Sequence, residues 1–244
     1  MNSEYNIEPV GPGVLILSLD TTTRSGSVAI ACDGRVIHEQ AGDASLPHAQ
    51  RLPADLITAC RGAGIEIGDV GLFAVAAGPG SFTGLRIGIA TVQGLAMAWG
   101  RRVVPVPTLE AIASAAPGEA PRIAAWMDAM RGEVFAQVFE REGHRVRAVS
   151  DAISAVPQAV LAAHETALAG AAFHGDGAVR YRDVIAGGGV ESSWIADRVP
   201  PLAGALALIA FHDPDRAVLP HAIVPVYVRR PDVEIARDRR AGEA

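Results

Sequence analysis

The sequence predicts an α/β protein made of two subdomains, each a mixed β-sheet flanked by helices. Three observations predict it. Residues 14–19 and 70–77 are nearly unbroken apolar runs of strand length, the pattern of strands covered on both faces. Residues 25–32 and 35–41 flank Asp33-Gly34, a two-residue hairpin signal, so the first strand is followed by a pair that folds back on itself. Apolar residues then recur at helical spacing over 46–62 and 87–99, so helices alternate with the later strands.

Each element follows from its own residues. The first strand, 14–19, ends in Asp20. Residues 46–62 form an amphipathic helix with Leu52, Leu56, Ile57, Ala59 and Cys60 on one face, and the glycines at 62–64 stop it. Strand 70–77 enters a glycine turn and a helix; strand 101–106 and a helix starting at Leu109 follow. The first half thus reads β-β-β-α-β-α-β-α. Residues 117–121, bounded by Pro117 and Pro121, read as a linker. The second half repeats the scheme loosely. It has strands at 122–128, 133–140 and 145–150, a helix at 155–164, a strand at 167–172, a glycine-rich irregular stretch at 175–189 and an alanine/leucine helix at 201–212. These elements divide the chain into subdomains 1–108 and 109–221, with helix 201–212 packing back on the first, and a tail, 222–244, extended near 223–228.

Composition narrows the function classes. Half of the 244 residues are hydrophobic and a fifth are charged, a soluble globular balance. The net charge is −6 and the basic residues are arginines only, in short clusters at 101–102 and 229–240. A chain that grips nucleic acid by itself would carry a broader basic face. The second cluster also holds Asp232, Glu234 and Asp238 and reads as a solvated tail. Cys32 and Cys60 form no C-x-x-C pair and read as reduced thiols. No apolar run approaches the roughly 20 residues of a membrane span. The first 13 residues lack the basic start and apolar centre of a signal peptide, so the expectation is a cytoplasmic protein with no membrane partner.

The segment 78–88, Gly-Pro-Gly-Ser-Phe-Thr-Gly-Leu-Arg-Ile-Gly, is the most specific string in the chain. Strand, glycine turn and helix is a layout in which backbone N–H groups face an anion. A Walker loop is excluded because no lysine follows the last glycine, and the spacing is not G-x-G-x-x-G. Gly84, Gly88 and Gly94 each cost roughly 1 kcal/mol in a helix interior, so something offsets about 3 kcal/mol. Gly84 and Gly88 share a face that Thr91, Leu95 and Ala98 continue. Such a face admits a close backbone, either within the chain or from a partner. Ser81 and Thr83 read as helix caps; Gly-x-Ser-x-Gly is absent, which disfavours a serine hydrolase. Arg86 reads as one half of a surface ion pair.

The string at 78–88 lies between Asp20-Thr21-Thr22-Thr23 and Thr108-Leu109-Glu110-Ala111-Ile112-Ala113. With Leu46 to Leu52, Met127 to Phe135 and Pro225 to Pro231, it resembles the TsaB (YeaZ) family of bacterial proteins, across nearly the whole chain. That family is required for threonylcarbamoylation of the adenosine next to the tRNA anticodon. The element order resembles the actin, sugar-kinase and Hsp70 (ASKHA) fold. The resemblance implies a non-catalytic subunit that pairs with TsaD and with the ATPase TsaE, meets tRNA only through the complex, and forms a homodimer when TsaD is missing.

In the superfamily an acid at the end of the first strand lies near the nucleotide's metal. Asp20, Thr21, Thr22 and Thr23 are therefore the cofactor-binding candidates, against a plain turn in which they bond nearby backbone. TsaD carries two metal-binding histidines four apart, and their matches here are Thr108 and Ile112, so the resemblance implies no metal and no resident cofactor. The histidines at 38, 48, 144, 164, 174, 212 and 221 form no H-x-x-H or H-x-x-x-H pair. His48-Ala49-Gln50 stands where the family has His-Ser-Glu. The partner surface is assigned to helices 46–62 and 83–99, through Leu52, Leu56, Gly84, Ile87, Gly88, Thr91, Leu95 and Ala98. The alternative is an ATP-dependent phosphotransferase or acyltransferase of the same fold acting alone.

Overall fold

The computed structural model describes residues 13–118 and 120–229. The arginine-rich segment from 230 onward and the first 12 residues lie outside them. In the first lobe, strands β1 (Leu15–Asp20), β2 (Ser27–Cys32) and β3 (Arg35–Ala41) precede helix α1 (His48–Ala63). Strand β4 (Val70–Gly78), helix α2 (Phe82–Ala98) and strand β5 (Arg102–Pro107) follow. Their five-stranded sheet has the order β3-β2-β1-β4-β5. β1 is antiparallel to β2 and parallel to β4, so the sheet is mixed. β1 and β4 sit at its centre with almost every residue buried, which explains their unbroken apolar runs.

Helix α3 (Thr108–Ala115) leads into β6 (Arg122–Asp128), β7 (Val134–Glu142), β8 (Arg145–Ala148) and β9 (Ile153–Ala155). Helices α4 (Pro157–Ala163) and α5 (Glu165–Leu168), strand β10 (Ala171–His174), and helices α6 (Asp176–Arg180), α7 (Arg182–Gly187) and α8 (Ala203–His212) complete the described chain. The second sheet has the order β10-β6-β7-β8, with β9 paired to β7. Two mixed five-stranded sheets with helices are thus the architecture, an ASKHA-like fold.

Four apolar clusters hold the layers. α1 and α2 cover one face of the first sheet, where Leu52, Leu56, Leu85, Ile89 and Val92 meet Leu17, Leu19, Phe73 and Val75. α8 covers the other face with Leu206, Ala207 and Ala210. α3 turns Ala111 to that cluster and Leu109, Ile112 and Ala113 to the second sheet. Trp126 and Phe173, edge to face at 5.4 Å, anchor the far side of the second sheet. α3 and α8 thus form one side of the junction between the lobes, and a cleft opens on the other.

Several expectations are corrected. Residues 175–189 are not irregular, because α6 and α7 occupy most of them. The strand expected at 167–172 lies at Ala171–His174, and α5 takes the preceding residues. α2 begins at Phe82 because the Ser81 hydroxyl caps it, accepting from Gly84 N at 3.3 Å. Arg229 is not part of a solvated tail; it is ion-paired to Glu133. The partner-surface assignment fails for four residues. Leu52 and Leu56 are buried beneath α1 and belong to the core. Gly84 and Gly88 face inward, where a Cβ would overlap the Thr21 carbonyl oxygen and the Thr21 hydroxyl respectively. The glycine pair therefore serves a close approach within the chain. Of the assigned stripe, Ile87, Thr91 and Leu95 are half-buried and Ala98 is exposed.

Candidate functional site: the interlobe cleft

A cleft of about 790 Å³ opens between the lobes. One wall is the turn after β1 together with the glycine segment. The other is the end of β6, the β6–β7 turn and the start of α6.

The first wall is self-contained. Asp20 Oδ1 accepts from Thr22 N at 2.8 Å and from Thr22 Oγ1 at 2.5 Å, and Oδ2 accepts from Thr23 Oγ1 at 3.0 Å. Thr23 Oγ1 in turn accepts from Gly26 N at 3.1 Å. The glycine segment closes over this turn. Ser81 N donates to Thr22 O at 3.0 Å, and the Thr21 hydroxyl donates to Gly84 O at 2.8 Å. Gly80 lies so near Thr22 that a Cβ would crowd its side chain. Asp20, Thr21 and Thr22 are fully buried, with Thr23 at the rim. In this turn the side chains bond nearby backbone amides and one another.

His48, the first residue of α1, borders the same wall. Its Nε2 is 3.0 Å from Thr23 O and its Nδ1 is 2.8 Å from Arg51 Nη2. The arginine can only donate, so Nδ1 accepts and Nε2 carries the proton that it donates to the carbonyl. Burial, then the Arg51 charge, lowers the pKa of His48 and favours this neutral form. Both ring nitrogens are engaged, Nε2 holding α1 to the turn and Nδ1 orienting Arg51 within the helix. Arg51 also bonds Ser25 O and Asp55. Arg86, expected in an ion pair, instead stacks on the Phe82 ring at 4.0 Å.

The second wall carries residues the sequence reading missed. Asp176, at the start of α6, accepts from Asp128 N at 3.0 Å. Burial pushes its carboxyl up to about 6; the Asp128 and Gly177 amides oppose the rise, and the Asp128 and Asp20 carboxylates add to it. Asp128 accepts from Met130 N at 3.0 Å and faces Arg180 at 3.6 Å. Beside the Met127–Phe135 string, the sequence signal for this wall was Gly175-Asp176-Gly177 after an apolar run. Its glycines exist because a Cβ on Gly175 would overlap Trp126 O, and one on Gly177 would crowd the backbone of Trp126 and Met127.

The positions matched to a metal-binding histidine pair do not fit a metal. Thr108 and Ile112 are both buried, and Ile112 has no donor atom and lies against Gly175. Among the described residues, no three His, Cys, Asp or Glu side chains gather as a ligand set. The cleft presents Arg24 and Arg180 on opposite sides and an apolar lining of Phe82, Met127 and Phe135.

Behind the first wall, α1 and α2 turn an outer face to solvent. On α1 it comprises Pro53, Ala54 and Ile57, with Ile57 53% exposed. On α2 it comprises Ile87, Ala90, Gly94, Leu95 and Ala98, with Met97 60% exposed at its end. A Cβ on Gly94 would meet nothing within 4 Å.

Known proteins resemble this chain in sequence and fold. The family model for TsaD, tRNA N6-adenosine threonylcarbamoyltransferase, matches residues 35–189. The tRNA threonylcarbamoyladenosine biosynthesis protein TsaB of Escherichia coli is 38% identical over 133 residues, 52% of this chain and 55% of that protein. Its Haemophilus influenzae counterpart is 34% identical over 129 residues, 52% of this chain and 54% of that protein. The matched stretch thus spans about half the length of these two relatives. An uncharacterized protein of Mycobacterium tuberculosis is 30% identical over 221 residues, 90% of this chain and 93% of that one. A crystal structure from Pseudomonas aeruginosa, of an uncharacterized protein with similarity to peptidase YeaZ, superposes with a TM-score of 0.71 at 29% identity. It covers 88% of this chain and 100% of that one.

Proposed function

This chain belongs to the TsaB (YeaZ) family within the TsaD-like group, and from that premise we propose that it is a non-catalytic subunit for threonylcarbamoylation of the adenosine next to the tRNA anticodon. It works by pairing with TsaD, in the cytoplasm. TsaE and tRNA join through the assembled complex rather than through this chain alone.

The observation that carries the reading is the outer face of α1 and α2. Two adjacent helices present small and aliphatic side chains to water with no charge at Ala90, Gly94 or Ala98. Small residues let a second pair of helices approach closely, so that four helices pack as a bundle and bury the exposed Ile57 and Met97. The same face would pair two copies of this chain when TsaD is missing. The Asp20 turn agrees with a silent role. Its carboxylate already accepts three hydrogen bonds from Thr22 and Thr23, which hold it to its own turn.

Reconstitution tests the reading. Purified TsaD and TsaE with ATP, threonylcarbamoyl-adenylate and tRNA are expected to modify tRNA only when this chain is added. The Ala90→Arg chain is expected to stay folded and to fail to support modification. Modification at full rate without the chain, or ATP turnover by the chain alone that Asp20→Ala abolishes, would contradict the proposal.

A further inference from the structure

We propose that residues 223–229 and the β6–β7 turn form a clasp that ties the two lobes together at the mouth of the cleft. Ile223 is buried in the first lobe's core. Val226 N donates to Ala77 O, at the end of β4, at 2.7 Å. The strap sits so close to this strand end that a Cβ on Gly78 would overlap Val226 O. The Tyr227 ring lies 6.0 Å from the Phe82 ring, which the Arg86 guanidinium also touches. Up to Tyr227, then, the strap belongs to the first lobe.

Within two residues it crosses to the second. Val228 packs against the cluster under the second sheet. The Arg229 guanidinium donates to Glu133 Oε2 and to Ala129 O, each at 3.0 Å, and lies 5.8 Å from the Phe135 ring. Ala129, Phe135, Phe82 and Arg229 all line the cleft, so the crossing borders it.

The turn that receives Arg229 is strained. Met130, Arg131 and Gly132 have φ of +61°, +57° and +81°, and two of the three are not glycine. Side chains rarely adopt this conformation, and it persists where the surroundings over-determine it. Here the surroundings are Asp128 accepting from Met130 N, the Ala129–Glu133 backbone bond, and the two bonds from Arg229. Glu133 keeps a second partner, the Ser154 hydroxyl at 3.0 Å, so it stays placed when the arginine leaves. Releasing Arg229 removes the strap's polar tie across the cleft and one of the restraints on a turn already in a costly conformation. The second wall then swings outward about the α3–α8 side. The clasp fixes the width of the cleft, and whatever competes for Arg229 or Glu133 widens it.

Pulsed electron–electron resonance tests this. Nitroxides are placed at Ala44→Cys on the first lobe's rim and Asp183→Cys on α7, both exposed, in the full chain with Cys32→Ser and Cys60→Ala. Arg229→Gln is expected to broaden the distance distribution and move it to longer values, and Glu133→Gln, which removes the charge of the same tie from the other lobe, is expected to do the same. Melting curves establish that each variant is folded. If Arg229→Gln does not fold, Glu133→Gln carries the test. A distribution unchanged from the parent in a folded variant overturns the proposal, even if hydrogen exchange at 129–133 rises, because that result is local fraying of the turn.

Discussion

On the first-lobe side of the cleft, the Asp20 carboxylate and the hydroxyls that follow it are bonded within their own turn, and Gly80, Gly84 and Gly88 let the next strand end and helix close over it. On the second-lobe side, Asp176 is half-buried beside another carboxylate with its pKa pushed up to about 6, next to a turn held in left-handed conformations. Both walls place an acid at a strand-to-turn junction. The first has paired its acid with three donors. The second keeps its acid where ionisation is costly. The difference separates a sealed wall, useful as a rigid backing for the α1–α2 outer face, from a wall whose charge and position can change.

The largest effect should come from unsealing the first wall. Gly84→Leu and Gly88→Leu force a side chain into the Thr21 backbone and hydroxyl, and are expected to lower stability by about 3 kcal/mol or more in urea unfolding. Gly94→Leu, on the open face of the same helix, is expected to be neutral or to stabilise by up to about 1 kcal/mol, because leucine favours helix over glycine. Equal losses at all three positions would show that helix propensity, not contact with Thr21, sets the cost.

The second wall answers to pH. A carboxyl whose pKa rises on folding adds stability below its unfolded value, and that contribution is lost as pH rises through the folded one. Asp176 therefore contributes most below about pH 4 and least above about pH 6. Asp176→Asn is expected to gain as much as about 3 kcal/mol at pH 7 relative to wild type and to show no such gain at pH 4. A gain that is the same at both pH values would point to packing instead of charge. The smallest effect belongs to the α2 cap: Ser81→Ala is expected to cost about 1 kcal/mol, with no change in that pH profile.

The same two walls show what a sequence discloses. The first lobe could be read because its elements are long and its signals local. β1 and β4 are apolar throughout, Asp33-Gly34 marks a hairpin, and the glycines at 78–88 form one unusual string. What the string did not disclose was direction. Spacing placed Gly84 and Gly88 on one face of a helix, but nothing in it said that Thr21, more than sixty residues earlier, lies against that face. The α6 side of the second wall was missed for a different reason. α6 and α7 have five and six residues, too short for a 3.6-residue period to register, and their glycines resembled loop punctuation. Those at 175 and 177 are there because β6 passes behind them. Asp128 and Asp176 are 48 residues apart and meet only because β10 and β6 pair in parallel.

The central claim is that the outer face of α1 and α2 docks TsaD, and isothermal titration of TsaD with this chain tests it most directly. The wild-type chain is expected to bind. Gly94→Arg puts a charge where there is open space, so it is expected to leave the melting temperature unchanged and to weaken binding by at least about a hundredfold, the cost of burying an unpaired charge at an interface. A folded Gly94→Arg chain that binds TsaD as tightly as wild type would contradict the account.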